Sequence, residues 1–336
     1  MAGLTEPNQI GKREDLADLY SIVDMKSCPF LTRVNKSRKP TNSKFEWQVD
    51  AYATPKVAGT IDGADVTDYE NHATNRARLS NYVQVFRRTK KVSRLAENLS
   101  DVAGVPSEIG LASAKGLVEL KRDMETTFLQ NNVDGQADDG TKPYLTVSLG
   151  RWISTAGPSV PGSVPAAFRP AAAQVNTDAI TSIDEDADVQ AMLKSIYDAT
   201  GMNGDYVLLA GSSLRRRITD MTRTLTGAGV AAKPRSFNVD AGSTTVSSTT
   251  TVYQGDYGTI TVESSNFIAA DHTTGSELGK GCGYLLDMDK ISLRQLKSAG
   301  RESFDDMGGG PRILLEAVAG LQVDNPIGLG KFAPAS

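Results

Sequence analysis

The strongest periodic pattern in the chain lies between Ser107 and Gln130, where Leu117, Leu120, Met124 and Phe128 recur at spacings of three and four residues. That period places all of them on one face of a helix. Lys115 with Glu119, and Lys121 with Glu125, form i,i+4 pairs on the remaining surface. Pro106 and Ser107 supply a start, Glu108 suits the positive end of the helix dipole, and Asn131, Asn132 and Asp134-Gly135 supply a stop. About 24 residues at roughly 1.5 Å each predict a rod of about 36 Å. Gly110 and Gly116 each cost about 1 kcal/mol against alanine unless another element packs close.

The pattern ahead of this helix is different. Phe45-Glu46-Trp47-Gln48-Val49 alternates as a strand does, and Leu79 to Phe86 is rich in aromatic and β-branched residues. Gly59 to Ala64 reads as a glycine-broken turn, so 45–92 is expected to be a long hairpin-like excursion. Ser93 to Leu99 predicts one short helix. Residues 1–44 read as an arm, with a short helical pattern around Asp15 to Met25 followed by Pro29 and Pro40.

Behind the helix, Asp134 to Ala173 is rich in Gly, Pro and small residues, which predicts an irregular, exposed segment anchored by Trp152 and Ile153. Asp184, Glu185, Asp186 and Asp188 precede Met192, Leu193, Ile196 and Tyr197, the pattern of an N-terminally acidic helix. Tyr206 to Ala210 reads as a buried strand. Ser212 or Ser213 caps a further helix, with Leu214, Ile218 and Met221 inward and Arg215, Arg216, Arg217 and Arg223 outward. Together these predict a compact α/β unit. Gly242 to Thr251 is a Ser/Thr-rich strand or loop, and Thr251 to Tyr253 with Thr259 to Val262 predicts a hairpin. Tyr284 to Leu286, Ile291 to Leu296 and Arg312 to Val323 are further strand candidates before a loose tail. The fold class is α+β.

Charge changes the picture of the excursion. Arg76, Arg78, Arg87, Arg88, Lys90, Lys91 and Arg94 fall in a stretch with no Asp or Glu between Glu70 and Glu97. Seven charges without local compensation need partners or water. They fit either a solvated edge strand whose cations block unwanted pairing, or an arm that docks on a neighbouring subunit's acidic surface. The whole chain carries a net charge of −4, which argues against a dedicated nucleic-acid binder, whereas residues 1–44 hold eight cations against five acids. At 336 residues, with 39% hydrophobic and 23% charged, a large core is available.

Candidate chemistry adds little. Cys28 and Cys282 are far apart and in no metal or redox spacing, which fits thiols acting as small hydrophobes in a reducing compartment; a bridge between them is the alternative. Met1 to Tyr20 lacks an apolar signal region, and no run approaches the ~18 apolar residues that would span a bilayer. His72 and His272 lie beside no G-x-S-x-G, H-E-x-x-H or C-x-x-C motif. The acidic run at 184–188 lacks the glycine and terminal Glu of a calcium loop, so it fits a helix N-terminus better than a divalent cation site. Gly308-Gly309-Gly310-Pro311 lacks the Lys-Ser/Thr of a phosphate loop.

The order of elements, namely basic arm, long excursion, spine-like helix, α/β unit and returning strands, resembles the major capsid proteins of tailed bacteriophages with the HK97-like fold. More closely it resembles the SU10-type major capsid protein family, through Phe45-Glu46-Trp47, Asp62-Gly63-Ala64-Asp65 and Glu119-Leu120-Lys121-Arg122-Asp123-Met124-Glu125. Tyr253-Gln254-Gly255-Asp256-Tyr257-Gly258, Leu285-Leu286-Asp287-Met288-Asp289 and Glu316 extend the likeness, which covers about residues 10–325. The resemblance implies an N-arm (1–44), an E-loop (45–92), a P-domain spine and connecting loop (93–179), an A-domain (180–250), and returning P-domain strands with a tail (251–336).

It also implies a non-enzymatic protein without cofactor or metal that self-assembles into pentamers and hexamers. These close an icosahedral or prolate head around phage double-stranded DNA, with portal and possible scaffolding or decoration proteins as further partners. Such a protein resides in the virion after assembly in the host cytoplasm, with no membrane involvement. Arg76, Arg78, Arg87, Arg88, Lys90 and Lys91 are then candidate inter-subunit contacts, and Leu117, Leu120, Met124 and Phe128 the spine core. An encapsulin-like shell with enzyme cargo, and a soluble hydrolase using His72 or His272, are the alternatives. The Gly/Pro-rich segment 150–175 has no counterpart in the family pattern, and no cross-linking residues carry over.

Overall fold

The computed structural model describes residues 27–99, 105–221, 251–268 and 280–333. The expected helix at Asp15 to Met25, Arg223, His272 and all of Gly242 to Thr251 but its last residue lie outside the described residues.

In chain order the helices and strands are α1 (Pro29–Arg33), β1 (Asn35–Lys36), β2 (Lys44–Val49), β3 (Ala77–Tyr82), β4 (Gln84–Lys91), α2 (Arg94–Asn98) and α3 (Glu108–Phe128). Then come α4 (Leu149–Trp152), β5 (Val175–Asn176), α5 (Ala191–Thr200), β6 (Gly204–Ala210), α6 (Ser212–Met221), β7 (Val252–Gly255) and β8 (Gly258–Ser264). β9 (Gly283–Leu286), β10 (Ile291–Phe304), β11 (Arg312–Val323) and β12 (Gly330–Phe332) complete the chain.

α3 starts where the sequence predicts it. Ser107 Oγ accepts from the Gly110 amide and in turn donates to Glu97, whose other carboxylate oxygen accepts from the Ile109 amide. Two orphan amides at the helix start are thereby satisfied. Leu120, Met124 and Phe128 are buried, and Leu117 packs half-buried against the same core. The helix lies across a four-stranded sheet of order β1-β10-β11-β4. A methyl group on Gly116 would collide with Leu315 of β11, so this glycine serves the close approach of helix to sheet. β10 runs eight residues beyond the expected Leu296, with register shifts between Gln295 and Lys297 and between Lys297 and Gly300. Such bulges break the alternation that marks a strand in sequence. Gly308 and Gly310, both at positive φ, turn β10 into β11, and Asp306 accepts from both amides. The glycine run is a hairpin turn.

A second sheet of six strands, ordered β5-β12-β9-β6-β8-β7, carries α5 and α6. β6 is buried on both faces, which explains its unbroken apolar run. Tyr206, Leu208 and Ala210 join a core with Met192, Leu193, Ile196, Leu214 and Ile218, while Val207 and Leu209 face the core beneath α3. The acidic run is the entry to α5: Asp184 accepts from the Ala187 amide and opens a wide helical turn, Glu185–Gln190.

The segment 134–173 is irregular, as expected, and 137–143 and 171–173 are exposed, but the expectation of exposure fails for its middle, which is anchored by more than Trp152 and Ile153. Val147, Leu149, Trp152, Ile153, Val164 and Phe168 are all buried, and Trp152 meets Trp47 of β2 at 5.6 Å between ring centroids. Gly150 permits this, because any Cβ there would strike the Asn131 backbone. Small residues that suit an exposed loop equally suit a backbone pressed into a core.

The same junction holds Lys331 of β12, whose ammonium donates to the Gly150 carbonyl at 2.7 Å and to Asn131 Oδ1 at 3.1 Å. Burial pulls this ammonium down from 10.5 to about 8. The unfolded chain therefore binds the extra proton between those values, and stability should rise with pH across that window. The wild type should gain about 2–3 kcal/mol relative to Lys331→Met between pH 7 and pH 10; parallel curves from urea unfolding would exclude this. Cys28 and Cys282 are both buried and form no disulfide, and burial pushes each thiol up to about 11.

Candidate functional site

β2 and β3 pair antiparallel from Lys44↔Tyr82 to Val49↔Ala77, with Phe45, Trp47 and Val49 turned inward and Glu46 and Gln48 outward. The pairing ends at an ion pair between Asp50 and Arg76, 3.1 Å, beside Asn75, whose amide donates to the carbonyls of Ala51 and Tyr52. Beyond it residues 51–76 form no strand or helix. Tyr52, Val57, Ile61, Val66 and Tyr69 project from this loop, each more than 70% exposed. Lys56 and Glu70 tie its two limbs together. Five large apolar side chains this exposed among the described residues are costly in water and have the character of a surface that is covered by a partner.

The base of this loop is β4, and its side chains alternate between two sets of acids. Arg87 meets Glu316 of β11 at 2.8 Å, and Lys297 of β10 shares that carboxylate at 3.2 Å. On the opposite face Arg88 grips Asp123 through two bonds of 2.6 Å and reaches Glu119 at 3.2 Å, while Lys90 meets Glu119 at 2.7 Å. Glu119 and Asp123 are one helical turn apart on α3, so a two-residue strand period meets a four-residue helix period. Burial opposes the charge on Glu119, yet the Lys90 hydrogen bond and the charges of Lys90 and Arg88 hold its carboxyl below the usual range. Hydrogen bonds from Arg87 and Lys297 do the same for Glu316.

These contacts correct the reading that the basic stretch lacks compensation. Six of its seven cations are ion-paired within the chain: Arg76 with Asp50, Arg78 with Glu46, Arg94 with Asp306, and Arg87, Arg88 and Lys90 as above. Lys91 lies at the sheet edge beside Gly309. The partners are remote in sequence, up to 229 residues away, so a local window could not reveal them. One feature escaped the sequence reading, the bare apolar tip of the loop, and the basic residues counted in 1–44 include an exposed run at Lys36, Arg38 and Lys39. The signal for it was present, since 51–76 holds apolar residues with neither helix nor strand period.

His72 lies exposed in the loop. Among the described residues no three His, Cys, Asp or Glu side chains gather as a metal site, and no helix is long and apolar enough to cross a membrane.

Solved structures share this architecture from end to end. One from Gordonia phage Cozz aligns over 99% of both chains with a TM-score of 0.59 at 12% identity. One from Mycobacterium phage Bobi aligns over 100% of both with a TM-score of 0.57 at 12% identity. The Cyanophage A-1(L) capsid asymmetric unit aligns over 99% of this chain and all of its own, with a TM-score of 0.58 at 14% identity. At such identities the likeness establishes the fold alone. No curated protein matches the chain in sequence. The profile of one family spans residues 3–336, practically the whole chain, and its members are major capsid proteins. A mixed helix-and-strand body shared with phage capsid structures, a bare apolar loop and a near full-length family match together place this chain in the SU10 major capsid protein family.

Proposed function

We propose that this capsid protein assembles through its 51–76 loop into pentamers and hexamers that close a head around double-stranded DNA. The observation that carries the reading is the loop itself, whose large apolar side chains stay exposed among the described residues. Laid over a neighbouring subunit, they supply part of an obligate interface of about 2,000 Å² or more. In this reading 1–44 is the N-arm, 45–92 the E-loop, 93–179 the spine and connecting segment of a P-domain, 180–250 the A-domain, and 251–336 the returning strands and tail. Arg76, Arg78, Arg87, Arg88, Lys90 and Lys91 set the direction in which the loop leaves the body and present its base to the adjacent copy. α3 and the sheet beneath it act as the stiff member against which the loop levers. No step of this role needs a reactive centre, and the protein acts by binding only. A portal, and scaffolding or decoration proteins, complete the head, and assembly precedes release from the host cytoplasm.

Electron microscopy of the expressed full-length chain tests the proposal. Rings of five or six subunits, or closed shells, are expected. A monodisperse small particle at every concentration would overturn it. Particles that carry an enzyme in place of DNA would move the reading to a cargo shell.

A further inference from the structure

The ion pairs at the loop base leave a charge pattern opposite to the one the sequence suggested. The basic residues of β3 and β4 are largely consumed inside the chain, whereas Asp62, Asp65 and Asp68 near the loop tip are exposed and have no cationic partner among the described residues. They alternate with Ile61, Val66 and Tyr69, so the tip is both acidic and apolar. Near the start of the described residues, Lys36, Arg38 and Lys39 are exposed, and none has a carboxylate partner among the described residues. Arg294 lies beside them: its guanidinium donates to the Arg38 carbonyl at 3.0 Å and to Gln322, and it too meets no carboxylate. The strip is held in place, because Asn35 and Lys36 pair with Ser292 and Leu293 of β10 and the Ser37 amide donates to the Leu293 carbonyl. Nowhere else among the described residues do three such free cations fall within four positions.

We infer that the acidic tip of the loop, residues 61–69, docks on the Lys36–Lys39 strip and Arg294 of a second copy. The inference rests on the shell reading and adds to it the polarity and the receiving surface of the contact. Three carboxylates meeting a strip of four cations match in sign and nearly in number. The apolar residues between the carboxylates exclude water and make the pairs stronger than open surface pairs. Like charges on the two strips of neighbouring copies repel, which disfavours head-to-head encounters and favours the head-to-tail order a ring requires.

Charge reversal on each side tests the contact. The loop variant Asp62→Lys, Asp65→Lys, Asp68→Lys and the strip variant Lys36→Glu, Arg38→Glu, Lys39→Glu change exposed groups only, and unchanged circular dichroism and thermal unfolding verify that each folds. Each alone should lower shell yield and assembly rate, followed by light scattering, at least about ten-fold at low salt. The combined variant, with both signs exchanged, should recover most of the wild-type yield. A loop variant that assembles normally, or a combined variant no better than its parents, would overturn the docking assignment while wild-type shells still formed. Wild-type chain that forms no shells would count against the shell reading itself.

Discussion

Replacing Asn81 by leucine should cost about 3–5 kcal/mol of stability and loosen the root of the loop. Asn81 has no solvent exposure, yet every hydrogen-bonding site of its amide is used. Its Nδ2 donates to the Leu321 carbonyl at 2.6 Å and to Thr146 Oγ1 at 3.0 Å. Its Oδ1 accepts from the amides of Val147 at 2.9 Å and Tyr82 at 2.8 Å. Thr146 Oγ1 accepts in turn from the Leu321 amide at 3.2 Å. One side chain thus ties β3, which returns the loop to the body, to the buried connecting segment and to β11. Leucine fills a similar volume but leaves the Val147 amide and the Leu321 carbonyl buried without a partner, and each such orphan costs about 1–3 kcal/mol. Urea unfolding gives the loss, and amide exchange at Val147 should accelerate with it. A loss below about 1 kcal/mol would show that water reaches these groups. Asn81→Asp should fare no better, since it keeps the acceptors but loses the donor and adds a buried charge.

The second large effect is expected at Glu125 on α3. Its side chain is fully buried, and its two oxygens accept from the amides of Phe30 at 2.9 Å and Leu31 at 2.8 Å. These amides open α1, and Phe30 packs edge-on against Phe128 at 6.5 Å. The carboxylate is therefore the polar half of a joint that fastens α1 to α3. Glu125→Ala should cost about 3–4 kcal/mol, from two amides stripped of acceptors and the cavity left behind. Exchange at the Phe30 and Leu31 amides should rise well before global unfolding. If those amides stay as protected as the core, the joint is held by Phe30 packing alone.

Burial pushes the Glu125 carboxyl above the usual range, more than its two amide donors pull it down. The sign follows from linkage. A carboxyl that binds its proton more tightly when folded adds stability that is fully present below its unfolded value, near pH ~4, and is lost as pH rises through the folded value. Glu119 and Glu316 have lowered values and do the reverse. Glu125→Gln removes this titration and should flatten its share of the pH profile.

The regular elements were legible because their signals are local. The face of α3, its Ser107 cap and the alternation of β2 need only neighbours in sequence to be read. β6 was legible as well, since burial on both faces leaves an unbroken apolar run. The length of β10 was not, because two bulges erase its period. The connecting segment looked exposed because Gly and Pro mark turns and tight packing alike.

The candidate site divides along the same line. From the residues alone come the excursion, the basic stretch and the helix behind it, and the family resemblance that their order carries. Only the tertiary structure decided what the charges do. Arg88 and Lys90 find Glu119 and Asp123 because a strand crosses a helix, and Arg87 finds Glu316 because two strands far apart in sequence pair. Sequence fixes the number and order of charges, but compensation depends on distance in space, which long-range pairing sets. The loop that seemed basic is therefore neutralised at its root and acidic at its tip.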